Sequence, residues 1–538
     1  MTFINSLTIG KNQEEIAASR SIIIRAYKEK IKSRRDFLRL QKIACEEFEV
    51  GFLARPVLLA TYRDLVKEGV ILEDQDLFNL LRKRAVRTTS GIAAVAVLTK
   101  SWPCPGKCIY CPTEKGMPKS YLSNEPAVMR AILAKFNAYK QVEIRLRGLD
   151  VAGNPSDKIE LIVMGGTFSV LPKRYQLKFA MDCYRACNEY GKRKKAKGKT
   201  TIKNLKLLQK KNETAKHRIV GLTLETRPDY INENEIKWFR ELGCTRVELG
   251  VQSVFDDVLA KNLRGHKVEA TIKATKLLKD AGFKVCYHLM PNLYGSNPKK
   301  DLKMFKILFS DERFQPDLIK IYPCMLTKYS KLEKPYREGK FKPYSNKELI
   351  DLLIKIKKII PPYVRIQRLY RDIPASSIIA GSKLSNIRQI MQEKMLSENI
   401  KCSCVRCREI RADSKLPVKL KRIDYLASGG KEIFLEYIDK NNRLYALLRL
   451  RIYGYISNER VAIIREVHTY GPMAEVGTHN NVSKQHKGLG KKLIKEAERI
   501  TKKEFGIRKI AVISGIGVRS YYRKLGYKLT DTYMVKKL

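Results

Sequence analysis

Residues 92–111 read IAAVAVLTKSWPCPGKCIYC, and the fold can be argued outward from them. The run Ile92–Leu98 is short, apolar and bounded by turn-forming residues, the pattern of a buried strand. Directly after it, Cys104, Cys108 and Cys111 form a C-x3-C-x2-C group on a loop. Further apolar runs follow as far as about residue 375: IELIVMGG, IVGLTLET, RVELGVQS, KVCYHLMP and LIKIYPC. Most lie roughly 20 to 40 residues apart with helical patterns between them, a rhythm that predicts βα units around a parallel sheet, open or closed into a barrel. Chemistry in such sheets collects at the C-terminal strand ends, where Gly165-Gly166-Thr167, Glu225-Thr226-Arg227 and Gln252 fall.

Charge frames the rest of the chain. Among 538 residues, 107 Lys and Arg face 55 Asp and Glu, leaving a formal +52. A surplus of this size calls for a polyanion, nucleic acid first and a membrane surface second, unless a generally Lys-rich protein set explains it. With 44% hydrophobic residues the chain is not globally disordered, and its length suggests about three domains. No apolar run approaches the roughly 20 residues that cross a bilayer, and the N-terminus lacks a secretory pattern. A cytoplasmic protein without a membrane partner is expected. Residues 1–80 read as helices with mostly basic polar faces, either a solvated surface or an RNA-docking one. A second basic segment, 191–218, carries twelve Lys or Arg and one acid, Glu213. The expected units are this helical region, a sheet domain over 81–375, a cysteine-containing linker over 376–425 and a compact α/β domain over 426–538. The last holds a hairpin around Asn441-Asn442, a helix in GLGKKLIKEAERITKKEF and a strand in KIAVISG.

Six of the twelve cysteines fall in two odd-numbered groups, a usage that reads as metal sites rather than disulfides. Thiolates from Cys104, Cys108 and Cys111 can ligate three irons of a 4Fe–4S cube, leaving the fourth iron open to chelate S-adenosylmethionine. Zinc is the rival, but it needs a fourth ligand and usually paired C-x2-C knuckles. The second group, Cys402, Cys404 and Cys407, reads as a structural zinc site. Its fourth ligand would be His468, His288 or a remote cysteine; a second iron–sulfur cluster and no metal at all stay open. Near the C-terminus, Gln485, Gly488, Leu489, Gly490 and Lys491 open a helix, where backbone N–H groups can receive a pyrophosphate.

The cysteine spacing after a first strand resembles the radical SAM superfamily, and Gly165-Gly166-Thr167 resembles its glycine motif for the SAM amino group. QHKGLG, with the flanking strands and the helix SYYRKLGY, resembles the acetyl-CoA motif of GNAT acyltransferases. Tyr522 is similar to the GNAT tyrosine near the CoA sulfur. In this order the motifs closely resemble one family, the catalytic third subunit of Elongator and its stand-alone archaeal and bacterial relatives, over nearly the whole chain. Supporting segments include EPAVMRA, GLTLETRPDYI, RIQRLYRDIP, REVHTYG and AVISGIGVRSYYRKLGY. The chain departs from the pattern at Asn292, Tyr294 and Cys324.

The resemblance implies a partial (β/α) barrel of radical SAM type joined to a GNAT domain, and an enzyme that carboxymethylates C5 of the tRNA wobble uridine. Cofactors implied are a 4Fe–4S cluster, SAM and acetyl-CoA. Acetyl-CoA contacts carried over are Lys158, Glu466, Val467, His468, Thr469, Gly488 to Lys491 and Tyr522; Glu225, Arg227 and Gln252 are expected to line the SAM pocket. The partners expected are tRNA, through its anticodon region, and an electron donor, with self-association or accessory subunits left open. The competing readings are a protein lysine acetyltransferase with a structural iron site and a non-catalytic RNA-binding scaffold.

Overall fold

The computed structural model describes residues 13–82, 90–192, 199–410, 417–456, 459–471 and 488–538. Four helices, Gln13–Lys28, Arg34–Glu47, Arg55–Lys67 and Gln75–Leu81, come first among the described residues. They bury Ile22, Phe37, Leu58 and Leu59 in a small core of their own. Ser33 and Asp74 cap two of them by accepting from the first-turn backbone N–H groups.

Seven strands then build a parallel sheet: β1 (Ala93–Leu98), β2 (Lys158–Met164), β3 (Arg218–Thr226), β4 (Arg246–Gln252), β5 (Lys284–Leu289), β6 (Leu318–Ile321) and β8 (Arg365–Arg368). A two-residue β7 (Leu326–Thr327) pairs instead with β9 (Ile378–Ala380). Neighbours in the sheet follow chain order, every pair is parallel, and β1 and β8 are its two edges, so the barrel is partial. Crossover helices, among them Ala138–Val151, Val268–Asp280 and Asn346–Ile359, bury their apolar faces against the sheet. Covered on its outer face, β4 is buried at six of its seven residues, as a strand inside a parallel sheet must be. No helix among the described residues is long and apolar enough to cross a membrane.

A second sheet has the order β10-β11-β12-β13-β14-β16-β15. Its strands are β10 (Lys419–Ala427), β11 (Gly430–Ile438), β12 (Leu444–Ile456), β13 (Glu459–Thr469), β14 (Lys509–Val512), β15 (Lys528–Thr530) and β16 (Tyr533–Lys537). All pairs are antiparallel except β13 with β14, which the helix Leu489–Lys503 connects. The β11–β12 hairpin turns at Asn442, whose φ of 58° suits asparagine. The expected domain limit at 426 moves toward the N-terminus, because β10 pairs with β11 from Lys419 onward. KLKRIDYLA has no apolar run, since an edge strand exposes most of its side chains. The linker over 376–425 also contains a helix, Ile387–Ser397.

The second sheet seats against the N-terminal ends of the barrel strands. Gly515 lies so close to β3 that a Cβ would collide with the Val220 carbonyl. Around this seam lies a buried ionic cluster. Arg465 donates to Asp317 (2.5 and 2.7 Å), to Glu432 (2.8 and 3.0 Å) and to the Phe283 carbonyl. Arg451 joins Glu432 to Asp280, and Arg449 binds Glu466 at 2.8 Å. Lys279 lies 3.6 Å from Asp317 and 3.9 Å from Glu432, fully buried. Four cations thus meet Asp280, Asp317, Glu432 and Glu466, without which burial of these charges would be prohibitive.

Candidate active site

The loop that leaves β1 is tied at several points. Thr99 N–H donates to Met164 O, Ile109 N–H to Asn262 O and the Ser330 hydroxyl to Ile109 O. Two of its three cysteines flank Gly106: a Cβ there would stand 3.6 Å from both Cys104 Sγ and Cys108 Sγ and would collide with the Arg227 guanidinium. Only glycine lets that cation approach so closely. Arg264 Nη1 lies 3.6 Å from Cys108 Sγ, and Lys119 donates to the Gly106 carbonyl. The Cys111 thiol and the Arg264 charge hold the Cys108 thiol well below its ordinary value, while Cys111 is pushed up by the same hydrogen bond.

Below the loop lies a cavity of 210 Å³ at the C-terminal strand ends. Gly165 and Gly166 line it with φ values of 132° and 90°, presenting bare backbone next to Thr167. Glu225 accepts from Tyr121 at 2.7 Å, and Arg227 is held by Asp229 at 2.7 and 2.9 Å. Buried Arg227 Nη1, Arg264 Nε and Gln252 Oε1 have no hydrogen-bond partner among the described residues. Unsatisfied polar atoms at one buried site call for a ligand that pairs with them.

Deeper in the barrel the interior is charged, where aliphatic layers are the norm. Glu248 receives His288 Nε2 at 2.9 Å and the Lys320 ammonium; Arg246 approaches at 3.5 Å and also binds Glu160. Burial alone would raise the Glu248 carboxyl, but Lys320, His288 and Arg246 hold it well below the usual range. Sequence reasoning missed this set. Its signal was an acid, a histidine and a lysine interrupting three apolar strands.

A second site lies at the opposite end of the barrel strands. β13 and β14 pair only over Ala462–Ile464; β13 runs on to Thr469 while β14 stops at Val512, leaving a fork. Gly488, with a φ of 75°, starts the helix that follows, without a side-chain cap. A Cβ on Gly490 would meet Tyr521 Oη at 3.5 Å, Thr469 at 3.6 Å and Val467 at 3.8 Å, so these residues and Gly488–Lys491 gather at the fork. Tyr522 instead packs inside the second sheet's core against Tyr527, whereas Tyr521 reaches the helix start. Burial would raise the Glu466 carboxyl, yet Lys284 and Arg449 keep it low. His468 donates to Ser90 O at 2.8 Å and stacks on Tyr470. Lys158 begins β2 beside Arg218, and burial lowers its ammonium to about 8. Gln485 lies outside the described residues.

The Cys402, Cys404 and Cys407 sulfurs lie within 4.8 Å of one another, and no fourth histidine, cysteine or carboxylate among the described residues joins them. The two histidines expected there are engaged elsewhere, His468 with Ser90 and His288 with Glu248. Lys357 Nζ sits 3.3 Å from Cys407 Sγ.

Comparison with known proteins matches the Radical SAM superfamily over residues 104–307 and the Radical_SAM C-terminal domain over 316–397. The tRNA uridine(34) acetyltransferase of Methanocaldococcus infernus is 46% identical, covering 88% of this chain and 91% of that protein. The protein of the same name in Dehalococcoides mccartyi is 46% identical over 85% of this chain and all of its own length. Human Elongator complex protein 3 is 38% identical, over 85% and 86%. The solved structure of the archaeal M. infernus Elp3 with an N-terminal deletion (1–46) superposes with a TM-score of 0.72 at 44% identity, over 84% of this chain and all of that one. The radical SAM match implies a 4Fe–4S cluster and SAM. The residues fit both: three cysteines on one loop, two arginines beside them, bare glycine backbone and orphaned polar atoms in one cavity.

Proposed function

The chain belongs to the family of tRNA uridine(34) acetyltransferases and Elongator complex protein 3, and on that premise we propose that it carboxymethylates C5 of the tRNA wobble uridine with SAM and acetyl-CoA. A standard acyltransferase joins the acetyl carbonyl carbon to nitrogen. Here the bond to C5 comes from the acetyl methyl carbon, whose C–H bonds side-chain bases activate poorly. When bound, the cluster and SAM supply a carbon radical able to remove such a hydrogen.

This chain's own residues bind, orient and exclude water. Cys104, Cys108 and Cys111 hold the cluster, and Arg264 and Arg227 offset its negative charge. Gly165–Thr167 offer backbone to the SAM amino group; Glu225 and Gln252 orient its sugar and amino-acid ends. At the fork, backbone N–H groups from Gly488 to Lys491 receive the CoA pyrophosphate at a helix N-terminus. Val467 and Thr469 flank its pantetheine arm, Glu466, His468 and Lys158 complete the acetyl-CoA site, and Tyr521, which reaches the helix start where Tyr522 packs into the core, is the tyrosine nearest the fork. Cys402, Cys404 and Cys407 would supply three of the four ligands of a zinc clamp between the two sheets. The basic helices before residue 80 and the 199–218 segment hold tRNA phosphates.

The observation that carries this reading is the coexistence, on one chain, of a cysteine loop at one end of the barrel strands and an open β13/β14 fork at the other. The test is mass spectrometry of tRNA nucleosides after anaerobic incubation with SAM, acetyl-CoA and a reductant. 5-Carboxymethyluridine dependent on both small molecules is expected; unmodified tRNA beside active SAM cleavage would reject the reading.

A further inference from the structure

Trp102 lines the rim of the cysteine-loop cavity yet keeps 37% of its surface exposed. Its backbone is nonetheless fixed on both sides. Lys100 N–H donates to Tyr175 Oη at 3.0 Å, the Ser101 hydroxyl donates to Met117 O at 3.1 Å, and Pro103 restricts the residue before it. The Lys100 ammonium lies 5.2 Å from the Trp102 ring centroid and 5.1 Å from that of Tyr175, held at the rim by both. Farther inside, Lys320, Arg368 and Arg371 line the same cavity. An indole with open surface, a cation beside it and a cationic pocket behind it form the elements of a single-stranded nucleic-acid site: a ring for the base and positive charge for the phosphates.

We propose that Trp102 is a stacking platform for a nucleobase of the RNA substrate, resting on the tRNA reading above. A base taken out of its stack to meet the chemistry loses its neighbours, and an aromatic face at the cavity entrance replaces them. The adenine of SAM has the same π chemistry, but the glycine turn expected to hold SAM packs against Thr99 at the base of this segment, whereas Trp102 keeps an exposed face beside Lys100. The occupant is therefore an RNA base.

The chain has two tryptophans, and the other, Trp238, donates to Gln176 at 2.6 Å. In full-length protein carrying Trp238→Phe, the emission thus reports Trp102 alone. Titration with a synthetic anticodon stem-loop RNA should quench it saturably, and SAM alone should not. Trp102→Ala should weaken stem-loop affinity about 5- to 100-fold, and Trp102→Phe should recover most of it. Iron content and melting temperature establish that each variant is folded. Unchanged RNA affinity in folded Trp102→Ala, or quenching by SAM and not by RNA, would overturn the assignment. If wild-type protein modifies tRNA and Trp102→Ala does so with the same KM, the stacking role alone fails. If the wild type neither binds nor modifies tRNA, the functional reading fails with it.

Discussion

Lys279 and Arg465 face the same two carboxylates, Asp317 and Glu432, but their contributions differ in sign. Arg465 donates to both acids and to Phe283 O, so removing it strands buried charge. Lys279 makes no hydrogen bond to any described residue through its fully buried Nζ, and burial lowers its ammonium to about 8 despite Asp317 and Glu432, with Arg465 and Arg451 opposing it too. Between pH 8 and about 10 the unfolded chain binds more protons at this lysine than the native one, so this group's contribution becomes more favourable as pH rises. Thermal denaturation should find Lys279→Met as stable as wild type or more so at pH 7, by up to about 3 kcal/mol, with the difference shrinking toward pH 10. Arg465→Met should cost about 3–5 kcal/mol. Equal losses in the two variants would show that Lys279 is needed as a charge.

At the level of elements, the contact between β3 and the turn after β14 sets the seam between the two sheets. Gly515 has an ordinary φ of −65°, so its backbone does not require glycine; the Val220 carbonyl against it does. Gly515→Ala should therefore lower the melting temperature by the equivalent of about 1–3 kcal/mol, as overpacking does. Gly148, inside the helix Ala138–Val151 with nothing within 4 Å, is the counterpart, and Gly148→Ala should stabilise by about 0.5–1 kcal/mol. Differential scanning calorimetry of both variants checks the pair. A neutral Gly515→Ala would mean that the seam yields.

For the whole molecule the formal charge is +52, and among the described residues only Lys279, Lys320 and Lys357 of the lysines are buried. Affinity for tRNA measured between about 50 and 200 mM salt should fall steeply, on the order of 1,000-fold if six or more phosphates are contacted. A flat response would leave the charge without this role. The two ends of the barrel strands also divide the labour: the cysteine cavity lies at their C-terminal ends, and the second sheet closes their N-terminal ends. Between them runs the charged interior of Glu225, His288, Glu248 and Arg246, close to Lys284 and Glu466 at the fork side.

By itself the sequence determined the parallel sheet, the cysteine loop, the glycine turn after β2 and the helix after Gly488. Each depends on residues adjacent in the chain: an apolar run that must be buried, a spacing that puts three sulfurs on one loop, a glycine where backbone must stay bare. Only the tertiary structure decided what required distant segments to meet. It assigned β10 to the second sheet, because an edge strand needs no apolar run. It turned Tyr521 toward Gly490 while Tyr522 went to the core, a choice between adjacent positions on one short helix that packing alone makes. It gathered Glu248, His288 and Lys320 from three strands into one buried set, since a charge enters a barrel interior only when others arrive to pair with it.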